Sequence, residues 1–348
     1  MTCCAGRHGT TSVPWWCVVS EPAELQSAQA DADSSLTYFA FAAGARHGPP
    51  PRAATQLPAA LPEVLCGRYR IERLLGVGGM GAVYRARDLL REQFGDPQPY
   101  VALKTLSEDF AEYPDASALL YSEFALTSRL RHANVVQLHT FDIDPASQRA
   151  FITLELLTGC TLDRFIDERP TGTPWADARE IGVALLEALA HAHGAGVLHG
   201  DLKPSNVMVG DQGLRLFDFG LGQAQENLLP GLPRLCRDRF AAWTLRYAAP
   251  ELLDGEALSA AADTYALSCV LYELCLGRHP FRRLSGKQAR AMQLQAETTG
   301  LTPVIATALQ AGLAFDPSRR ASLDELLQAF RAAPQPSRLR RWLGRRQD

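Results

Sequence analysis

The sequence predicts an α+β protein of two lobes, a β-rich first lobe with one helix and a larger α-helical second lobe. Two observations carry that expectation. From Gly67 onward, short runs alternate apolar and polar residues with the twofold period of half-buried strands, and beyond Gly159 apolar residues recur at helical intervals. Strands and helices are thus segregated along the chain, as in α+β architectures, rather than interleaved as in parallel α/β sheets. Composition agrees: of 348 residues, 47% are hydrophobic and 21% charged, which excludes a wholly disordered or collagen-like chain. The length suits one large or two medium domains.

Residues 1–64 are rich in Ala, Ser, Pro and Gly and close on HGPPPRAATQLPAALPE, so a disordered or weakly structured extension is expected there. RYRIERLLG then reads as a strand, GVGGMG as a glycine-rich turn and AVYRAR as a second strand. A polar connection over 91–99 leads to a third, YVALKTL, and the three form an antiparallel meander. ASALLYSEFALTSRLR has helical spacing around Glu123, and VVQLHTFDID and RAFITLELL add two more strands. Helices are expected at 176–195, 260–277, 287–296, 302–314 and 322–331.

Charge and cysteine usage exclude several functions. With 35 basic and 38 acidic residues the net charge is −3, not the basic excess of a nucleic-acid binder. The eight cysteines are scattered and contain no C-x-x-C pair, which argues against a disulfide scaffold or zinc site and for a reducing compartment. The longest uncharged stretch, 298–315, contains Pro303, Gln310 and four threonines and cannot be a comfortable membrane span. The first residues make a poor signal peptide, so a cytoplasmic protein without a transmembrane segment is expected. Residues 331–348 hold six arginines against Asp348. That tail reads either as a solvated end or as a weak contact for an anionic membrane face or acidic partner, with Leu339, Trp342 and Leu343 as apolar contacts.

Three constellations carry chemistry. Gly76, Gly78 and Gly81 let backbone N–H groups approach a polyphosphate without Cβ obstruction. A dinucleotide fold would need a helix directly after them, and the strand texture of Val83 and Tyr84 excludes it. Lys104 ends an apolar strand, where it either snorkels to the surface or offers its ammonium to phosphates with Glu123 as ion-pair partner. The third is HGDLKPSN at 199–206, a loop interrupted by Gly200 and Pro204, followed twelve residues after Asn206 by Asp218 in DFG. A carboxylate, an ammonium and an amide there can orient an alcohol, and Asn with Asp supplies oxygen ligands of the kind Mg2+ prefers.

Taken in order, GVGGMGAV, VALK, Glu123, HGDLKPSN, DFG, AAPE at 248–251, Asp263 in DTYALS and DPSRR at 316–320 make the chain resemble a eukaryotic-like (Hanks-type) bacterial serine/threonine protein kinase. The resemblance covers about residues 67–330 and implies the bilobal protein-kinase fold, with a regulatory helix in the N-lobe. It implies a kinase domain at 67–332, divided into an N-lobe at 67–157 and a C-lobe at 158–332, with the basic tail at 333–348.

By resemblance the protein transfers the γ-phosphate of ATP, with Mg2+, to Ser/Thr hydroxyls of protein substrates. Leu75, Gly76, Gly78, Gly81, Val83, Ala102, Lys104, Glu123, Glu155 and Leu157 would form the nucleotide site, with Leu154 as gatekeeper. Asp201 would steer the substrate proton, Lys203 would offset phosphoryl charge, Thr244 would line the hydroxyl site, and Asn206 and Asp218 would hold Mg2+. Glu251 and Arg320 would form a buried ion pair.

Three positions depart from the family pattern. Gly200 stands where an arginine usually receives the activation-loop phosphate, and Thr244 and Tyr247 are the only hydroxyl side chains between Asp218 and Glu251. Receptor and acceptor are absent together, so activation without loop phosphorylation is expected. Trp243 replaces a usual glycine, and Thr127 replaces the aliphatic residue that usually packs on the regulatory helix. The rival functions are an ATP-binding pseudokinase scaffold, which has no need of all five of Lys104, Glu123, Asp201, Asn206 and Asp218, and a small-molecule kinase, whose relatives generally lack the APE segment.

Overall fold

The computed structural model describes residues 62–77, 81–106, 116–220, 222–224 and 244–333. Nearly all of the expected N-terminal extension, Gly78, Trp243 and the tail from residue 334 lie outside the described residues.

The first lobe is a six-stranded antiparallel sheet in the order β1-β2-β3-β4-β6-β5. Its strands are β1 (Val64–Leu65), β2 (Tyr69–Val77), β3 (Gly81–Asp88), β4 (Tyr100–Leu106), β5 (Leu138–Ile143) and β6 (Ala150–Leu154). The expected meander is β2-β3-β4. Leu65, Tyr69, Ala86, Val101, Leu103 and Phe151 pack on one side of the sheet. On the other side Leu106, Ala150 and Ile152 receive Leu119 and Leu120 of a helix, here α2. α2 (Ala116–Thr127) is the helix expected around Glu123. The connection expected to be a plain polar loop holds a short helix, α1 (Leu89–Gln93). Asp88 ends β3 and also caps α1, accepting from the Leu90 and Arg91 N–H groups.

The second lobe is built around a buried helix. In chain order it contains β7 (Cys160–Thr161), α3 (Leu162–Asp167), α4 (Trp175–Gly194), β8 (Val197–Leu198), β9 (Val207–Gly210), β10 (Gly213–Leu216) and β11 (Gln223–Ala224). There follow α5 (Pro250–Leu253), α6 (Ala260–Leu276), α7 (Gly286–Ala291), α8 (Pro303–Gly312) and α9 (Leu323–Ala332). α6 is buried without interruption from Ala262 to Tyr272, as a helix must be that is apolar all round and serves as a hub. Ser259 caps its start, and Gly277, in the left-handed conformation at φ +67°, ends it. α7 stops short of the expected 296 because Gln293 takes φ +53°, which no helix accommodates.

The loop after α2 fastens the two lobes. Asn134 accepts from the Leu216 N–H at 2.8 Å and donates its side-chain amide to the Leu214 carbonyl at 3.1 Å, while the Val136 N–H donates to the Leu216 carbonyl. The base of α2 is thereby tied to β10, two residues before Asp218.

Candidate active site

The glycine-rich turn joins β2 to β3, and its described glycines are there for different reasons. A Cβ at Gly81 would lie 2.0 Å from the Thr105 carbonyl oxygen, so close strand packing demands glycine. A Cβ at Gly76 would meet nothing within 4 Å among the described residues, so packing against them does not explain that glycine. Gly76 pairs with Val83, and Val83 pairs with Lys104 on the next strand. Ala102, two residues before Lys104 and thus on its face, pairs with Leu154 of β6. One sheet face therefore aligns Gly76, Val83, Ala102, Lys104 and Leu154. Leu75 is exposed on the edge of the turn, and Glu155 and Leu157 follow β6 in the connection to the second lobe.

Lys104 joins the lobes. Its Nζ lies 2.7 Å from both Glu123 carboxylate oxygens and 2.7 Å from Asp218 Oδ1. Burial alone would lower the Lys104 pKa, but Asp218 and Glu123 outweigh it and hold the ammonium charged. Burial also works against the Asp218 carboxylate, yet attraction and the hydrogen bond from Lys104 keep its pKa below the usual carboxylate range. The Asp218 side chain is 36% exposed, and the residue sits at φ +67°, a strained turn that non-glycine residues seldom adopt. Phe219, next in sequence, is fully buried with its ring 4.6 Å from that of His199.

The loop after β8 presents the second cluster. Lys203 Nζ donates to Asp201 Oδ2 at 2.7 Å and to Thr244 Oγ1 at 3.0 Å. Burial pushes the Asp201 pKa up, and Lys203 opposes that shift. The Asn206 side-chain amide donates to the Asp201 carbonyl at 2.8 Å, which leaves its own oxygen free of that bond. His199 accepts the Asp201 N–H at Nδ1, so its proton sits on Nε2 and points to the Phe217 carbonyl at 3.2 Å. Burial lowers the His199 pKa, in keeping with a neutral ring.

Asp263 holds this loop from α6. Its carboxylate accepts the His199 N–H at 2.8 Å, the Gly200 N–H at 2.8 Å and the ring of His193 at 2.9 Å. The sequence marked Asp263 only as part of a motif. The role of His193 has no local signal, because its partner lies 70 positions away, whereas His199 stands in the HGD run and bonds to the Asp201 N–H two residues on.

Downstream, Arg320 forms a two-pronged pair with Glu251 at 2.7 and 3.1 Å and also donates to the Ala261 and Ala314 carbonyls. Side-chain exposure of 1% for Arg320 and 6% for Glu251 makes the pair fully buried. The Tyr247 hydroxyl donates to Glu273 at 2.6 Å, so neither expected hydroxyl of this segment is a free group.

Two lobes meeting at a lysine, with an Asp-Lys-Thr cluster and a DFG turn beneath it, define a phosphotransfer fold. Residues 69–330 match the family described as "Protein kinase domain", and the chain belongs to it. It is 35% identical over 265 residues to serine/threonine-protein kinase PknE of Mycobacterium bovis, covering 73% of this chain and 44% of PknE. It is 31% identical to serine/threonine-protein kinase PkaA of Streptomyces coelicolor, covering 76% of this chain and 49% of PkaA. The chain thus spans less than half the length of either relative. The crystal structure of the Mycobacterium tuberculosis PknI kinase domain, in a form with one cysteine replaced by alanine, matches with a TM-score of 0.57 and 26% identity. That match covers 78% of this chain and 98% of the PknI domain.

Proposed function

We propose that this protein is an Mg-ATP-dependent serine/threonine protein kinase acting on protein substrates. The observation that carries the reading is the Asp201–Lys203–Thr244 cluster, in which one ammonium bridges a carboxylate and a hydroxyl at 2.7 and 3.0 Å. Asp201 would receive or steer the proton of the attacking hydroxyl. Lys203 would stay beside the transferring group and offset its charge, and Thr244 would shape the acceptor side.

ATP fits the N-lobe face. No described residue crowds the Gly76 backbone, Val83, Ala102 and Leu154 offer an apolar wall, and Lys104 is held charged for phosphates. Gly78 would complete the turn, and the backbone of Glu155 to Leu157 would face the adenine. For Mg2+, Asn206 and Asp218 are the oxygen donors that fit. With two protein donors, the rest of the ion's shell would come from phosphate oxygens and water. Bound there, Mg2+ would neutralise part of the phosphate charge.

Activity would not depend on activation-loop phosphorylation, since Gly200 supplies no guanidinium and Thr244 and Tyr247 are already engaged. No described helix is long and apolar enough to cross a membrane. A cytoplasmic location, and a weak contact of the arginine-rich tail with an anionic surface, are further parts of the proposal. Salt-sensitive co-sedimentation with anionic vesicles tests the tail, and absence of binding at low salt removes that part.

The functional reading is tested by incubating the protein with labelled Mg-ATP and a generic basic protein, then separating phosphoamino acids. Phosphoserine or phosphothreonine is expected. Phosphotyrosine, or label only on small molecules, overturns the assignment.

A further inference from the structure

α9 ends beside a groove of about 690 Å³ in the second lobe. One face of α4 lines it through Ala176, Glu180, Val183, Ala184 and Glu187, which recur at helical intervals, and Arg331 of α9 lines it as well. Its apolar part is made of short side chains: Val183 and Ala184 are half-buried and Ala176 is exposed.

The described chain leaves the fold at this groove. Ala333, the residue that closes α9, is buried and donates its N–H to the Ala329 carbonyl, so the point of exit is fixed. Arg179, itself in the groove, donates to the Phe330 and Arg331 carbonyls at 3.0 Å each. Pro334 and Pro336 keep α9 from running on. Extended, residues 334–338 span about 17 Å, whereas Ala184 lies about 8 Å beyond Arg179 along α4. The tail from Leu339 onward, outside the described residues, is therefore within reach.

Size and charge match. Leu339, Trp342 and Leu343 stand three and four positions apart, the spacing that places side chains on one helix face. They are large where the groove is lined by alanine and valine. α4 carries Asp177, Glu180 and Glu187 against Arg179 alone, and residues 338–346 hold five arginines and no acid. Arg331 already makes such a pairing, with its guanidinium on Glu187.

We propose that residues 338–346 fold back onto α4, seating Trp342 and its two leucine neighbours in this groove with arginines against Glu180 and Glu187. The tail is then a partner of its own second lobe. An anionic surface has to draw the same side chains out of the groove, which keeps that contact weak. Docking needs no phosphotransfer, so failure of the kinase reading leaves it untouched.

The experiment places a photoreactive benzoylphenylalanine at position 342 of the full chain and maps the adduct by peptide mass spectrometry after irradiation. A cross-link to residues 176–187 of the same chain is expected. Cross-links only between two chains would make the occupant a second copy, and adducts elsewhere, or none, would leave the groove without the tail; each overturns the proposal. Trypsin gives a second readout, since cleavage after Arg338, Arg340 and Arg341 requires an undocked tail. Trp342→Ala should speed that cleavage about tenfold through lost apolar burial. Glu180→Arg should speed it about two- to fivefold, an effect that fades in high salt. Glu180 is exposed, so its replacement leaves the core intact. Equal cleavage rates in the parent and both variants overturn the proposal.

Discussion

Gly200 donates its backbone N–H to Asp263 Oδ1 at 2.8 Å while turned to φ +82°. The left-handed conformation costs an ordinary residue about 1–2 kcal/mol and a glycine almost nothing. The glycine that removes the family's arginine therefore also relaxes the turn that presents Asp201. Gly200→Ala is expected to lower stability by about 1 kcal/mol, read as a fall in urea midpoint at unchanged slope. An unchanged midpoint would mean that the turn is not strained.

Phosphorylation of the activation segment is not expected to switch the enzyme on. Thr244 is bonded to Lys203 and Tyr247 is buried on Glu273. Phosphatase treatment should leave activity unchanged, and peptide mass spectrometry should find no phosphate on residues 219–250. A stoichiometric phosphate on Thr244 or Tyr247 that raises activity would contradict this.

The Glu251–Arg320 pair is structural. Glu251→Ala leaves a guanidinium in the interior with only carbonyl acceptors, at a cost of roughly 3–5 kcal/mol. Replacing both partners with apolar residues of similar volume should cost markedly less than the single change. Chemical denaturation of the three proteins checks the order, and equal losses would show that the packing of this region, rather than the unpaired charge, dominates.

The pH profile should report Asp201. Its carboxylate must be ionised to take a proton, and burial raises its pKa while Lys203 opposes the rise. Activity is therefore full above that raised pKa and is lost as pH falls through it, at a higher pH than an exposed aspartate, which titrates at about 3.9. Removing the charge with Lys203→Met should move the acid limb further up. A limb that stays in place would separate Lys203 from the titration of Asp201.

The lobes and the site were legible in the sequence to different depths. Val83, Lys104 and Asp201 stand in local patterns, where alternation or an interrupted loop constrains the backbone, so their neighbourhoods followed from spacing. Asp263 was visible as a motif residue but not as the acceptor for His193, His199 and Gly200, because contacts across 63 to 70 positions leave no local trace. α1 was hidden because Asp88 closes a strand and caps a helix at once. That the buried hydroxyl of Thr127 has no hydrogen-bond partner among the described residues depends on what packs around α2, which alternation of apolar residues does not encode. Apolar spacing that continues past Gln293 predicts a longer α7 than the left-handed backbone there allows.

Everything proposed for the site depends on Asp201 and its neighbours transferring phosphate from Mg-ATP to protein. The direct measurement is transfer of labelled γ-phosphate by the full chain and by Asp201→Asn, with nucleotide binding of both followed by thermal shift with and without Mg2+. Label on protein with intact Asp201, loss of nearly all of it in Asp201→Asn, and a nucleotide shift retained in both are expected. Equal label from the two proteins, or a nucleotide shift without any transfer, would contradict that assignment.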